Sequence, residues 1–351
     1  MKRNGTIDFF KFIFAIIVVF HHMDIFKITA KCGFIAVEFY FLVSGYLLMK
    51  KADKTRLSND ETIFSNNLQM IKHKYLGLFP FLLLSIIVSI WFWFFNNDVS
   101  VRGGVFYLIH CLTDLFPLQF LGFNGVCPIG VGWYLSVLLF VSFVFYPILL
   151  KYKDKYVLYF APIITLLTLG YICYTSGSIC VNAEWNGYVF LGMLRGIGVM
   201  NLGFICYCLT EKLKKKDFSV LKNSLLTFVE CFGYLSAVLY AFFYEIYDST
   251  SFYILALLAV SVIISFSNKS YLQKVFNPKI CSFLGGWSFS IYITHFYITR
   301  KVDVWFWESS VIQKFVICWI IILIVSLYVH IIGTMISKLI SRKQVKKQIK
   351  L

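Results

Sequence analysis

The stretch Ile7–Asp24, "IDFFKFIFAIIVVFHHMD", decides how this chain must be read. It is apolar over a length that suits a bilayer crossing, yet it holds Asp8 and Lys11 near one end and the adjacent His21 and His22 near the other. Ionisable groups in such a setting are costly and normally face a bundle interior or a watered cavity. Lys11 and His22 are eleven residues apart. At about 100° per residue they fall within about 20° of one another around a helix, separated along it by about 16 Å. One face is therefore polar at two depths. Asp8, three residues before Lys11, is placed to neutralise it, and His21 points roughly 100° away from His22.

Outward from this helix the whole chain has the same character. Of its 351 residues 59% are hydrophobic and 14% charged, where a soluble domain is nearer half and a quarter. Apolar runs long enough to cross a bilayer recur at 7–26, 32–49, 75–95, 130–150, 156–175, 188–210, 224–244, 252–267, 281–299 and 311–338, which predicts an all-α polytopic bundle of about ten spans. With the N-terminus in the cytoplasm, the inward segments collect Lys2, Arg3, "KKADKTR", Lys72, Lys74, "KYKDK", "EKLKKKD", Lys269, Lys274, Lys279 and the tail "SRKQVKKQIK". The outward segments hold only Lys27, Lys31, Arg102, Arg300 and Lys301. This asymmetry places both termini in the cytoplasm. It assigns the net charge of +16 to topology and anionic lipid rather than to nucleic acid.

No cleavable signal peptide, second soluble domain, low-complexity linker or internal repeat is expected, so residues 1–351 read as one membrane domain. The segment "CLTDLFPLQFLGFNGVCPIG" (111–130) is too irregular to span, and either lies at the outer interface or folds back over the bundle. Its Cys111 and Cys127 are either bridged or two small apolar residues. The six histidines show no H-E-x-x-H spacing, and no metal is expected. His73 is expected on a solvated cytoplasmic loop, while His110 and His330 have no evident partner.

In the second run, "CGFIAVEFYFLVSGYLLMKK", Glu38 lies at a depth similar to that of His22. A short connection makes the two helices antiparallel neighbours. A carboxylate beside an imidazole holds its tautomer and stabilises the imidazolium formed when it takes a proton, the arrangement of a general base acting on a hydroxyl. The alternative is an interfacial histidine bonded to headgroups and a Lys11 that snorkels to the surface.

These residues resemble the opening of the membrane-bound acyltransferase-3 family: Lys11, ten residues, His22, then Glu38, Phe39, Tyr40, Phe41, Ser44 and Gly45. "WYLSVLLF" (133–140), "RGIGVMNLGFICYCL" from Arg195 and "FLGGWSFSIYITHF" (283–296) resemble three further family segments in the same order. Two departures stand out. Leu138 occupies a position where many members carry Glu, and the additional soluble esterase-like domain of some members is missing from this sequence.

The resemblance implies transfer of an acetyl or short acyl group from acyl-coenzyme A to a hydroxyl of a surface polysaccharide or lipid-linked glycan, by a multi-pass protein of a bacterial plasma membrane. Under it His22 is the general base assisted by Glu38. Lys11 and Arg195, with Asp8 and Ser44, serve the acetyl-CoA donor, and Trp133, Tyr134, Tyr40 and His295 serve the acceptor. Other roles stay open at this point. Arg195 is equally placed to pair with Glu184, the aromatics suit a core or interface, and His295 suits a helix cross-link worth about 0.6 kcal/mol. A glycolipid or polysaccharide transporter lined by Lys11, His22, Glu38 and Arg195 is the competing reading.

Overall fold

The computed structural model describes residues 3–23, 29–56, 62–94, 100–119, 129–179 and 185–348, with 341–348 as backbone only. Cys127, Glu184 and the side chains of the basic tail therefore lie outside the described residues. The chain forms helices α1 (Gly5–His21), α2 (Ile35–Lys54), α3 (Ile63–Phe94), α4 (Val101–Leu115), α5 (Trp133–Lys155), α6 (Ala161–Ser176), α7 (Leu191–Lys214), α8 (Val220–Phe243), α9 (Thr250–Ser267), α10 (Leu272–Val275), α11 (Pro278–Trp305) and α12 (Val311–Gln348). A two-stranded hairpin, β1 (Trp185–Asn186) and β2 (Val189–Phe190), precedes α7.

Each of the ten expected apolar runs overlaps a helix over most of its described residues, the sixth starting in the hairpin ahead of α7. Six helical stretches among the described residues are long and apolar enough to cross a membrane: Ile63–Phe94, Trp133–Ser176, Leu191–Lys214, Val220–Phe243, Thr250–Ser267 and Val311–Ile340. Of the rest, α1 has only 17 residues, about 25 Å at 1.5 Å per residue, while α2 and α11 carry the polar side chains that face inward. The protein is an all-α membrane bundle.

The run at 133–176 joins two expected spans. Pro162 has no N–H for the carbonyl four residues back, and the ladder widens there into a π turn, Tyr156–Phe160. The chain reverses across it. Val137 of α5 lies against Gly196 of α7 and Phe145 against Phe204, whereas Thr165 of α6 returns to the Gly198 carbonyl at 3.1 Å. The two halves thus run in opposite directions along α7.

At one end of the bundle Lys31 pairs with Glu245 at 2.8 Å, Ser178 meets Ser251 at 3.0 Å, and Tyr247 donates to the Lys31 carbonyl at 3.1 Å. At the other, Asn4 caps α1 through Ile7 N (3.0 Å) and donates to the Ser265 carbonyl (2.8 Å). Asp53 there accepts from Lys153 and, at 2.5 Å, from Tyr207. The α2–α7 contact is nearly backbone to backbone. A Cβ on Gly203 would lie 2.8 Å from Tyr46 N and 3.0 Å from Gly45 Cα, the close approach that small residues permit between membrane helices. α1 likewise packs on α11, where a Cβ on Gly285 would lie 2.7 Å from Asp8 Cβ.

The segment 111–130, expected to be too irregular to span, is described over 111–119 and 129–130; its first residues complete helix α4, which is capped by Ser100 through Gly103 N at 3.2 Å. At its end Asp114 accepts from Ile129 N at 2.8 Å and from the Gln119 amide, while Gln119 N donates to Ser136 at 3.3 Å. These bonds fold the chain back over the start of α5.

Candidate functional site

The polar side chains concentrate where α1 ends and α2, α5 and α7 begin. His22 caps α1, its N–H directed at the Val18 and Val19 carbonyls (3.2 and 3.1 Å). Its ring lies 5.3 Å from that of His295 on α11, centroid to centroid, 5.1 Å from His21 and 5.3 Å from Phe296. His295 is fully buried, and its Nδ1 is 3.2 Å from the Ile291 carbonyl. A carbonyl only accepts, so the neutral ring carries its proton on Nδ1 and leaves a lone pair on Nε2. That Nε2 has no hydrogen-bond partner among the described residues. A buried acceptor without a donor is uncommon enough to require an explanation, such as a ligand. His21 is occupied differently, with Nδ1 2.9 Å from the Ala30 carbonyl.

Glu38 was expected beside His22, but its ion pair is with Arg195. The Arg195 Nε and Nη2 atoms reach Glu38 Oε1 at 2.7 and 2.5 Å, with both side chains buried. The reason lies in the α2–α7 packing. Glu38 precedes Gly45 by two helical turns and so shares the face that Gly45 presses onto α7. The second carboxylate oxygen, Oε2, has no partner among the described residues. Trp133, the first residue of α5, lies over the guanidinium at 5.3 Å.

Between these groups stand three tyrosines. Tyr40 donates to the Lys11 carbonyl at 2.5 Å, Tyr134 meets Ser44 Oγ at 3.2 Å, and Tyr292 donates to the Val131 carbonyl at 2.9 Å. Their ring centroids lie 5.8–6.2 Å apart, and Tyr292 is 6.1 Å from His295. Tyr292 was not singled out from the sequence. The signal available was its position three residues before His295 in "SIYITHF", on the same helix face.

Lys11 lies 3.5 Å from Asp8 Oδ1, but Arg3 holds the same carboxylate more tightly, at 2.7 and 3.1 Å. Arg3 forms the two-pronged contact characteristic of guanidinium and carboxylate, a role its place ahead of the apolar run does not reveal.

On the other side of Ser44 a cavity of about 260 Å³ opens between α2 and α3, lined by Ser44, Leu47, Leu48, Lys51, Met70, His73 and Lys74. Lys74 donates to Ser142 at 2.8 Å. His73, expected on a loop, is exposed as anticipated but stands on α3. The lining has cationic and titratable side chains and no carboxylate, so it favours an anion. His330 packs against Phe283 and His110 against Phe106, both away from this constellation. No cluster of three or more His, Cys, Asp or Glu side chains with the spacing of a metal site occurs among the described residues.

Asp114 lies outside the spans. Burial pushes its carboxyl up to about 6, partly opposed by the hydrogen bonds from Ile129 N and Gln119. The loop it fastens includes Val131, the acceptor for Tyr292.

The sequence of this bundle matches the acyltransferase domain family over residues 4–335, and the chain belongs to that family. Three proteins of Staphylococcus aureus are similar to it, each named "Putative O-acetyltransferase": SAS0844 of strain MSSA476, SAR0937 of strain MRSA252 and SACOL0978 of strain COL. Each is 22% identical over 340 residues, covering 89% of this chain and 53% of the relative. The chain thus spans about half the length of the curated relatives it matches. No solved structure matches it.

Proposed function

We propose that the protein is an integral membrane O-acyltransferase that moves an acetyl or short acyl group from acyl-coenzyme A to a hydroxyl of a surface polysaccharide or lipid-linked glycan. The observation that carries this reading is the line of side-chain contacts that leads from the basic cavity, at Ser44, through Tyr134 and Tyr292 to His295 and His22. A donor with charged phosphates at one end and a thioester at the tip of a slim arm fits such a line.

In this reading the basic end of the bundle faces the cytoplasm, all ten apolar runs cross the plasma membrane, and both termini are inside. The donor's phosphates rest against Lys51, His73 and Lys74, and its arm passes Ser44 and the tyrosines. Lys11, neutralised by Asp8, flanks that arm. The thioester arrives at the histidine pair. His22 takes the proton of the acceptor hydroxyl as its oxygen attacks the thioester carbonyl. The tetrahedral adduct collapses, the C–S bond breaks, and the imidazolium returns the proton to the departing thiolate. General-base assistance of this kind contributes roughly 10²–10⁴-fold, and holding the two reactants together contributes further. His295, with a free lone pair beside His22, orients the acceptor hydroxyl or the catalytic ring. Glu38 enters as the counter-charge of Arg195, and this pair, with Trp133, Tyr134 and Tyr40, shapes the acceptor side.

The test is thioester cleavage of radiolabelled acetyl-coenzyme A by the purified protein in liposomes. The reading expects turnover by the parent, a loss of at least about 100-fold in His22→Ala, and a raised donor KM in Lys51→Ala/Lys74→Ala. Equal turnover by parent and His22→Ala removes His22 from the chemistry; no turnover at all favours a transporter.

A further inference from the structure

The hairpin at 185–190 projects aromatic side chains and is tied to the buried ion pair. Gly187 has φ +58° at the first position of its two-residue turn, the pattern of a type II′ hairpin turn. The turn pairs Trp185 with Phe190 across the strands. Trp185 is about half exposed and Tyr188 wholly so. From there the rings step inward. Trp185 lies 5.7 Å from Phe190. Phe190 and Trp133 both close on Gly192, where a Cβ would lie 2.8 Å from Phe190 and 3.1 Å from Trp133. Trp133 in turn covers the Arg195 guanidinium and lies 6.1 Å from Phe41, which packs 4.5 Å from Tyr134. The aromatic line therefore meets the proposed donor line at Tyr134.

Its inner end carries an independent mark of a ligand. Glu38 is fully buried and its Oε2 has no donor among the described residues, while Oε1 is already neutralised by Arg195. A second cation is not called for there; a neutral hydroxyl is the donor that satisfies the oxygen without adding charge. A ligand with an apolar ring face to lie on aromatic rings and hydroxyls around its edge has the chemistry of a pyranose.

We propose that Trp185, Tyr188, Phe190 and Trp133 form a stacking track for a pyranose-containing acceptor, which ends on the Arg195–Glu38 pair with one sugar hydroxyl donating to Glu38 Oε2. This site rests on the acyl-transfer reading for its role as the acceptor site, but not for its affinity for sugar. It competes with a plain alternative, that Trp185 and Tyr188 are anchors at the membrane interface, where such residues are common.

Calorimetric titration of the full chain in nanodiscs separates the two. The probes are tetrasaccharides of β-1,4-linked glucose, β-1,4-linked N-acetylglucosamine and mannose, with sorbitol as an open-chain polyol. At least one tetrasaccharide binds the parent and sorbitol does not. Trp185→Ala weakens that binding about five- to tenfold, the effect of losing one aromatic contact, and Glu38→Gln weakens it as well. Tyr174→Ala, a surface aromatic 90% exposed that takes part in none of the ring contacts named above, binds as the parent does. The proposal is overturned if no tetrasaccharide binds, if Trp185→Ala binds as tightly as the parent, or if Tyr174→Ala loses as much. Sugar binding in a protein that cleaves no acetyl-coenzyme A would sink the acyl-transfer reading and leave this site standing.

Discussion

The imidazoles of His22 and His295 lie 5.3 Å apart and are tilted by 31°, one closing α1 and the other in the interior of α11. The Nδ1 contact of His295 with the Ile291 carbonyl fixes its tautomer, and with it which nitrogen can serve a substrate. His295→Asn preserves a donor and an acceptor at that position but displaces the ring nitrogen. It is expected to lower kcat by 10-fold or more while leaving the thermal unfolding temperature near that of the parent. His295→Leu, which has no acceptor, should reduce turnover further. Unchanged kcat in both would confine His295 to packing.

The Arg195–Glu38 pair makes a stability prediction. Removing one partner strands a buried charge, which costs about 3–5 kcal/mol. Arg195→Met should lower the unfolding temperature of the detergent-solubilised protein markedly. The double variant Arg195→Met/Glu38→Gln should be more stable than the sum of the two single losses predicts. Additive losses would show that the two side chains act separately.

Much of this site was legible in the sequence. Lys11, His22 and Asp8 declare themselves because a single helix fixes their mutual geometry, and ionisable groups in an apolar run have few reasons to be there. The partner of Glu38 was not legible, because it depends on which neighbour α2 packs against most closely. Chain proximity suggested α1, whereas Gly45 and Gly203 bring α7 nearer. Arg3 escaped notice because it precedes the apolar run. The hairpin at 185–190 lay across an expected span boundary. The turn between α5 and α6 is expected at the charged "KYKDK", whereas those residues continue α5 and the ladder widens only after them, at Tyr156–Phe160.

The glycine contact between α2 and α7 supplies a packing test. A side chain at Gly203 meets Leu42, Tyr46 and Gly45 backbone atoms, which cannot move aside as a flexible side-chain tip could. Gly203→Val is expected to destabilise by about 1–3 kcal/mol or more. Gly170→Ala, with open space around its Cα, should be neutral or slightly stabilising.

Asp114, which belongs to none of the six candidate spans, predicts a pH dependence of stability. Its folded-state carboxyl is raised from the ordinary 3.8 to about 6, so the folded form holds its proton more tightly than the unfolded chain does. The associated stability is fully present below about 4 and is lost as pH rises through about 6. Thermal unfolding followed between pH 4 and 7 should show this decline, and Asp114→Asn should flatten it. A decline of the same size in the variant would assign it to another group.

The proposed topology is tested by labelling. Single cysteines introduced at the exposed positions Ser249 and Ser219 stand beyond opposite ends of α8. An impermeant thiol reagent applied to intact cells should modify the first and spare the second. The reverse pattern would invert the bundle.

The most direct measurement is a cryo-electron microscopy structure of the full chain with a non-cleavable acetyl-coenzyme A analogue in which a methylene replaces the sulfur. The predicted density has the phosphates against Lys51 and Lys74, the arm beside Ser44 and Tyr134, and the acetyl carbonyl within hydrogen-bonding reach of the His22 and His295 rings. Phosphates bound elsewhere, or an acetyl group separated from both rings by closed protein, would contradict the account.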